Sequence, residues 1–151
     1  DGPDREKLEE FALKLNIKNV DFLGFVEEAD KLRLLQSSTV VCSPALYGES
    51  FGIVLLEAMA SGTPVIAGDN PGYVGVMQGR GELSLVSPLH TVDFARRLHL
   101  FLTDEGTRKS WNTWASEYVK QFDYPRIVDQ YEAVYSNVCK ERDVHGSPAK
   151  A

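Results

Sequence analysis

This sequence has few of the residues and patterns that assign a chemistry at sight. Its 151 residues include only two cysteines. Cys42 lies in an apolar run and Cys139 near the far end, so separate reduced thiols fit better than a disulfide or a metal pair. No apolar stretch approaches the roughly 20 residues that span a bilayer, and the first residues lack a signal-peptide pattern. These absences favour a cytoplasmic location.

Strong positive charge is also absent. The net charge is -6, and no basic run is interleaved with aromatic residues, which argues against a nucleic-acid partner. The sequence has no Walker glycine loop, no zinc-ligand spacing and no Ser-His-Asp or Cys-His pattern. His90, His99 and His145 are dispersed along the chain, so surface or packing roles fit them better than metal ligation. The sequence therefore predicts neither a metal site nor a nucleophilic mechanism.

The chain does have the composition of one globular domain, with 43% hydrophobic and 25% charged residues. Short apolar runs predict strands, and stretches with helical periodicity lie between them. The predicted strands are 20–24, 39–43, 63–67 and 83–86. Strands that alternate with helices favour an α/β fold, here a Rossmann-like doubly wound parallel sheet with helices on both faces. Ligands of such folds bind at the carboxyl ends of the strands, where the loop 44–50 would lie.

Helical periodicity is strong at both ends of the chain. Pro3 predicts the first position of an amphipathic helix that ends near Asn16 and buries one stripe against the sheet. Later helical stretches have apolar faces that we interpret as core and not as a platform for stacking bases. Their stripes contain Phe94, Leu98 and Phe101; Trp111, Trp114, Ala115, Tyr118 and Phe122; and Ile127, Val128, Tyr131, Val134, Tyr135 and Val138. The periodicity stops at Lys140, which predicts a domain over 1–139 and a disordered tail over 140–151.

The most informative stretch is the run from Glu49 to Ala60, in which two carboxylates flank an otherwise almost wholly apolar segment. Its pattern predicts a buried helix that starts near Gly52, and an ionised Glu57 inside that helix needs a partner from the protein or from a ligand. The backbone N–H groups at the helix start favour an anion such as a phosphate. Carboxylates for hydroxyls, with an anion site between them, describe a site for a nucleotide sugar.

The same block resembles a known family. Glu49 and Glu57 in an E-x7-E arrangement, followed by the Gly-Thr-Pro-Val-Ile sequence of 62–66, resemble the donor-site signature of glycosyltransferase family 4, also called group 1. The further segments that match in order are 1–3, 22–26 and 122–124. The spelling Glu-Ser-Phe-Gly-Ile-Val is similar to that of bacterial phosphatidylinositol-type mannosyltransferases. The resemblance implies a retaining enzyme of the GT-B fold, of which this chain would form the carboxyl-terminal, donor-binding half.

The resemblance also implies roles for particular residues. Glu49, the catalytic residue, would accept hydrogen bonds from hydroxyls of the transferred sugar, and Glu57 would bind the two ribose hydroxyls. The base would be bound at Phe25 and Val26. The donor sugar and its phosphates would be bound by Ser50, Phe51, Gly52, Ile53 and Val54. No metal or cofactor is expected beside the donor substrate, a UDP- or GDP-sugar, because such enzymes position the reactants and stabilise charge on the diphosphate.

Several of these residues have a structural alternative. Glu49 could be a solvated loop acid, and Glu57 could be a core acid paired with a Lys or Arg of an upstream segment. Gly52 could serve packing alone, and Ser50 could cap the helix instead of contacting the donor.

In the family it resembles, this domain is preceded by its first strands and by an acceptor-binding domain. The resemblance therefore implies a fragment, inactive alone, whose partners are a nucleotide-sugar donor and the N-terminal acceptor-binding domain of the same protein. Any membrane contact would be made through that domain. A Glu that is common after the strand at Pro64 has no obvious counterpart in 71–76, which departs from the family pattern.

Two other functions remain open at this point. One is half of a sugar-nucleotide epimerase, which would need acid and base groups that this sequence does not present. The other is a free-standing module that senses nucleotide sugars or binds another protein.

Overall fold

The structure is a computed structural model that describes residues 2–144, with side chains as far as Lys140. Over those residues the helices are Arg5–Lys14 (α1), Glu28–Ser37 (α2), Ile53–Ala60 (α3), Pro71–Val76 (α4), Thr91–Thr103 (α5), Glu105–Tyr118 (α6) and Tyr124–Val144 (α7). The strands are Val41–Ser43 (β1) and Val65–Ala67 (β2), and 3-10 helices span Gly79–Ser84 and Val119–Phe122. No helix within residues 2–144 is both long enough and apolar enough to cross a membrane.

The two strands form a small parallel sheet. They pair in a register that places Val41 opposite Val65, and Ala67 makes one further parallel bridge to Leu85. Both strands lie within the segments predicted for them, and helices precede and follow each one. The prediction of a mixed helix and strand fold with parallel pairing is confirmed, but the sheet of the described residues is smaller than the doubly wound sheet that we expected.

Two of the predicted strands account for that difference. The strand predicted over 20–24 is wrong, because no other strand of the described residues lies beside it to take its backbone hydrogen bonds. Its apolar residues Val20 and Leu23 are exposed accordingly. The strand predicted over 83–86 is reduced to the single bridge at Leu85, because a 3-10 helix takes up the residues before it.

The core lies where α3, β2 and α6 meet. All of β2 is buried, and so are Leu55 and Met59 of α3. Trp111 and Ala115 of α6 have exposed fractions of 3% and 1%, so the predicted apolar stripe of α6 is confirmed as core. A chain of neighbouring aromatic rings connects the helical side to the start of α3; its members are Phe101, Trp111, Trp114, Tyr118, Phe122 and Phe51.

The stripe predicted for α7 is not core. Tyr131, Tyr135 and Val138 are each more than half exposed, at 61%, 65% and 58%, because no described element packs over this face. The periodicity predicted the helix correctly, but the prediction that its apolar face is buried was wrong. The helix also continues to Val144, beyond the predicted domain boundary at 139, and the remaining part of the predicted tail lies outside the described residues.

The first helix differs from its prediction in a similar way. It begins at Arg5 with Asp4 as its N-cap, so Pro3 precedes the helix instead of opening it. Ala12 is buried, but Leu8 and Phe11 are 55% and 57% exposed, so the predicted apolar stripe is only partly covered.

Candidate functional site

The loop from Pro44 to Gly52 connects the end of β1 to the start of α3, and a second segment holds it. We call residues 68–73 the brace segment. The side-chain amide of Asn70 donates to the carbonyl oxygen of Ala45 at 3.0 Å. Gly68 lies so close to the same carbonyl that an added Cβ would come within 2.3 Å of its oxygen. The brace segment therefore fixes the first part of the loop.

Glu49 lies further along this loop, and its backbone is held in the same manner. A Cβ added to Gly72 would meet the carbonyl oxygen of Glu49 at 2.3 Å and its carbonyl carbon at 2.8 Å. Only a residue without a side chain allows that approach. Glu49 as a whole is nevertheless exposed. The backbone is thus fixed while the residue as a whole stays accessible from outside.

Tyr73 ends the brace segment and is fully buried, with an exposed fraction of 0%. Its backbone N–H donates to the side chain of Asn70 at 3.0 Å, an N-cap bond that starts α4. Its phenol oxygen lies 2.7 Å from the hydroxyl oxygen of Ser43, the last residue of β1. Burial raises the pKa of the Tyr73 phenol, the bond to Ser43 lowers it, and the nearby charge of Glu49 raises it further.

The start of α3 is built on Gly52, which is its N-cap. Gly52 has φ +89°, and an added Cβ would meet the ring of Tyr73 at 2.6 Å, so both the backbone conformation and the packing require glycine. No side chain caps this helix, which means that Ser50 does not cap it as one alternative proposed. The first N–H groups of a helix, here those of Ile53 and Val54, have no acceptor within it. They remain available to an anion.

Ile53 is exposed, although the pattern predicted a helix buried on every side, and Phe51 just before the helix is exposed as well. Phe51 is 44% exposed, and its ring contacts that of Phe122 edge-on with 5.9 Å between ring centroids. Ile53 is 65% exposed. The structure therefore buries one side of α3, with Leu55 and Met59, and leaves the start of the helix accessible.

Glu57 has the partner that the sequence requires. Its Oε1 accepts a hydrogen bond from Nζ of Lys31 at 2.8 Å, and both side chains are about one third exposed, at 32% and 33%. Lys31 also contacts Glu28 at 2.9 Å. The bond with Glu57 raises the pKa of the Lys31 ammonium group, and that with Glu28 raises it further. The partner lies on α2 within this chain and not on an upstream segment.

A groove of about 470 Å³ opens between α2 and α3 beside this ion pair. Its lining residues are Glu28, Ala29, Lys31, Leu32, Leu35, Glu57, Ala60 and Ser61. Glu57 also borders a larger and mostly apolar groove of about 750 Å³ between α3 and α7, in which Phe51 and Ile53 take part. Glu57 thus lines a groove on either side of α3.

The predicted base-binding residues lie just before α2. Phe25 is 79% exposed and Val26 is half-buried, and Glu27 then serves as the N-cap of the helix. Neither Phe25 nor Val26 lines the groove beside Lys31 and Glu57. The structure therefore brings Glu49, Gly52 and their neighbours together around the start of α3, while Phe25 and Val26 stay apart from that groove.

Sequence reasoning missed the residues that hold the site. The sequence alone assigned no role to Lys31 and none to the brace segment. One local signal was available, since Asn70 followed by Pro71 is the pattern of an N-cap and the first position of a helix. The contacts of Gly68 and Gly72 with the loop backbone had no local signal.

The remaining ionisable groups form no further centre within the described part of the chain. Those residues contain no group of three or more His, Cys, Asp or Glu side chains able to hold a metal ion. Cys42 and Cys139 are free, as predicted. His145 lies outside the described residues.

Comparisons with known proteins show which family the chain resembles. Residues 1–118 match the family model described as glycosyl transferases group 1. A phosphatidyl-myo-inositol mannosyltransferase of Mycobacterium leprae is 35% identical over 122 residues, which cover 81% of this chain and 33% of that protein. The enzyme of the same name from Mycolicibacterium smegmatis is 39% identical over 118 residues, which cover 78% of this chain and 30% of that protein.

A relative with a different name matches more of the chain. A D-inositol 3-phosphate glycosyltransferase of Streptomyces bingchenggensis is 31% identical over 147 residues, which cover 93% of this chain and 32% of that protein. The chain therefore spans about a third of the length of these curated relatives.

Proposed function

Because the chain belongs to the family of group 1 glycosyl transferases, we propose that it is the donor-binding half of a retaining GT-B enzyme. That enzyme transfers a hexose from a UDP- or GDP-sugar to a hydroxyl acceptor. The N-terminal domain of the same protein binds the acceptor and makes any membrane contact. The names of the relatives favour mannose as the hexose and an inositol compound as the acceptor.

The observation that carries this proposal is the placement of Glu49 and Glu57 on either side of an uncapped helix start. Glu49 has a fixed backbone and is exposed as a residue. The helix start at Gly52 offers unpaired N–H groups together with the positive end of the helix dipole, which favour a diphosphate. Glu57 lies further along the same helix beside a groove. These groups match, in order, a sugar, its diphosphate and a ribose.

Glu57 is suited to the ribose for a physical reason. Its bond to Lys31 uses Oε1, and a carboxylate has about four lone-pair positions, so acceptor capacity remains for two ribose hydroxyls. In this proposal Lys31 does not compete with the nucleotide. It holds the carboxylate in one orientation before the ligand arrives, which reduces the ordering cost of binding.

At the other end of the donor, Glu49 accepts hydrogen bonds from the hydroxyls of the hexose and sets its orientation for attack by the acceptor. The acceptor attacks on the face from which the diphosphate leaves, and the leaving phosphate takes the acceptor proton. The N–H groups at the start of α3 stabilise the charge that develops on the diphosphate. The protein mainly positions groups, and this proposal assigns the reaction no metal.

The other two functions are less well supported. An epimerase half or a free-standing sensing module would share the ligand class, but membership in a family of transferases favours neither.

Calorimetric titration of the chain with UDP, GDP, ADP and their sugar conjugates tests the proposal. We expect one nucleotide and its conjugates to bind and Glu57→Ala to abolish that binding. Asp30→Ala is the matched control, because Asp30 is an acid of the same helix α2 that pairs with Arg33 on the surface and does not line the groove. Absence of binding by every nucleotide at millimolar concentration, or unchanged binding by Glu57→Ala, would overturn the proposal.

A further inference from the structure

We propose that Tyr73 is a positioning residue for Glu49, through which the brace segment sets the orientation of the sugar-binding carboxylate. This inference rests on the proposed function, because it deepens the role given there to Glu49. Tyr73 does not touch the donor. It joins the two ends of the loop that carries Glu49.

The hydroxyl of Tyr73 holds the first end of that loop. It lies 2.7 Å from the Oγ atom of Ser43, where β1 ends and the loop begins. Either oxygen can donate in this pair. When Ser43 donates, the Tyr73 hydroxyl proton is free to point to a different acceptor, and the Glu49 carboxylate is near enough for its charge to affect the phenol.

The ring of Tyr73 holds the other end. An added Cβ on Gly52 would lie 2.6 Å from Cδ1 and 2.7 Å from Cε1 of the ring, so ring and backbone are in direct contact where α3 starts. The ring lies in the packed interior, since Tyr73 is fully buried. One side chain thus fixes both the last residue of β1 and the N-cap of α3.

The backbone beside Tyr73 fixes the middle of the loop. Gly72 packs against the carbonyl group of Glu49, and Asn70 holds both the backbone N–H of Tyr73 and the carbonyl oxygen of Ala45. The brace segment therefore contacts the loop at its start, at Glu49 and at its end. A binding group whose position decides the orientation of a reacting sugar needs this kind of support, since small displacements are costly in rate.

Tyr73→Phe separates a positioning role from simple core packing. The variant keeps the ring on Gly52 and removes only the hydroxyl. The readout is the ratio of two affinities of the chain, that for a nucleotide diphosphate sugar over that for the free nucleotide diphosphate, because only the first ligand reaches Glu49. We expect Tyr73→Phe to lower this ratio by about tenfold, the size expected when a hydrogen bond to a charged group is disturbed.

Tyr118→Phe is the matched control. The Tyr118 hydroxyl donates to the carbonyl oxygen of Val76 at 2.7 Å, so this variant also removes a hydroxyl bond from the interior. Tyr118 has no contact with the loop of Glu49 among those described, and its substitution is expected to leave the ratio unchanged. An unchanged ratio in Tyr73→Phe, or an equal fall in Tyr118→Phe, would overturn the inference.

A measurement without ligand keeps the inference separate from the proposed function. NMR titration of ring-labelled tyrosine, with Tyr73 assigned by its loss in Tyr73→Phe, follows the pKa of the phenol. Glu49→Gln is expected to lower that pKa, because the negative charge that raises it is removed. An unchanged pKa would overturn the coupling even if the donor binds. A lowered pKa in a chain that binds no nucleotide would support the coupling and count against the proposed function alone.

Discussion

Glu49 and Glu57 flank the same helix start, but the molecule holds them by different means. Glu49 is fixed through its backbone, by the contact of Gly72 with its carbonyl group, and the residue as a whole stays exposed. Glu57 sits on a regular helix and is fixed through its side chain, by an ion pair with Lys31. The difference indicates where each site is sensitive. Ligand binding at Glu49 should be lost when a side chain is added to the glycine that packs against it. Ligand binding at Glu57 should be lost when the charge of its partner is removed.

The largest expected effect is that of Gly52→Ala. The new Cβ would collide with the buried ring of Tyr73, and φ +89° is strained for any residue with a side chain. Together these should cost about 2–6 kcal/mol in free energy of unfolding, measured by denaturant titration.

Gly62→Ala provides the control for that change. Gly62 also has a positive φ, +77°, but an added Cβ would meet nothing within 4 Å. It should show the backbone strain alone, about 1–3 kcal/mol. Equal losses in the two variants would mean that the contact with Tyr73 contributes nothing.

Gly72→Ala should have the next largest effect on stability and binding. Its Cβ would press on the carbonyl group of Glu49, and overpacking of this kind costs about 1–3 kcal/mol. Because the loop must shift to make room, the affinity for a nucleotide sugar should fall more than that for the free nucleotide. Gly75→Ala in the same helix has open space and should be neutral or slightly stabilising. If both ligands lose affinity equally in Gly72→Ala, the braced loop does not serve the sugar.

Asn70 allows the two contacts of one side chain to be separated. Asn70→Ala removes the cap of α4 and the bond to Ala45, with an expected loss of about 1–2 kcal/mol in thermal or denaturant unfolding for the cap. Asn70→Asp keeps an acceptor for the N–H of Tyr73 but has no donor for Ala45. We expect it to be more stable than the alanine variant while still weakening sugar binding. Identical behaviour of the two variants would contradict this division.

On the side of Glu57, Lys31→Gln should change stability little, because the pair is partly exposed and such pairs contribute little. It should weaken binding of nucleotide and nucleotide sugar to the same extent, since the carboxylate loses its orientation. Arg33→Gln on the same helix breaks an exposed pair with Asp30 and should affect neither ligand. A large loss of stability in Lys31→Gln would show that this side is also held structurally.

The smallest expected effect is a change in the free energy of unfolding at alkaline pH. The folded chain has a Tyr73 pKa above the ordinary value of 10.0, so above that value the unfolded chain loses a proton that the folded chain retains. The free energy of unfolding should therefore fall as the pH rises from 10.0 towards the raised pKa, and this residue should add no pH dependence below it. Tyr73→Phe should flatten the fall, because it removes the phenol that titrates. Parallel curves for wild type and Tyr73→Phe would contradict the burial of a neutral phenol.

How much of this could be predicted from the sequence depends on whether the signal is local. The start of α3 at Gly52, the need of Glu57 for a partner and the burial of Trp111 all follow from residue pattern. The strand expected over 20–24 failed because strand formation depends on a neighbour, which a pattern of apolar residues does not specify. The apolar face of α7 failed for the same reason, since periodicity identifies the face and not what covers it.

The same distinction between local and long-range signals applies to the candidate site. The sequence allowed a site to be proposed at Glu49, Gly52 and Glu57 because the spacing of these residues can be seen in it. Tyr73 and Lys31 were not found, because their contacts join residues that are distant in sequence, with Tyr73 reaching Ser43 and Lys31 reaching Glu57. No local rule links either pair.

One titration tests the central claim that the two carboxylates serve different parts of one donor. The nucleotide diphosphate that binds and its sugar conjugate are each titrated into Glu49→Gln and Glu57→Gln. We predict that Glu49→Gln weakens only the sugar conjugate, whereas Glu57→Gln weakens both ligands by the same factor. A loss in Glu49→Gln that is equal for the two ligands, or a loss in Glu57→Gln confined to the conjugate, would contradict the account.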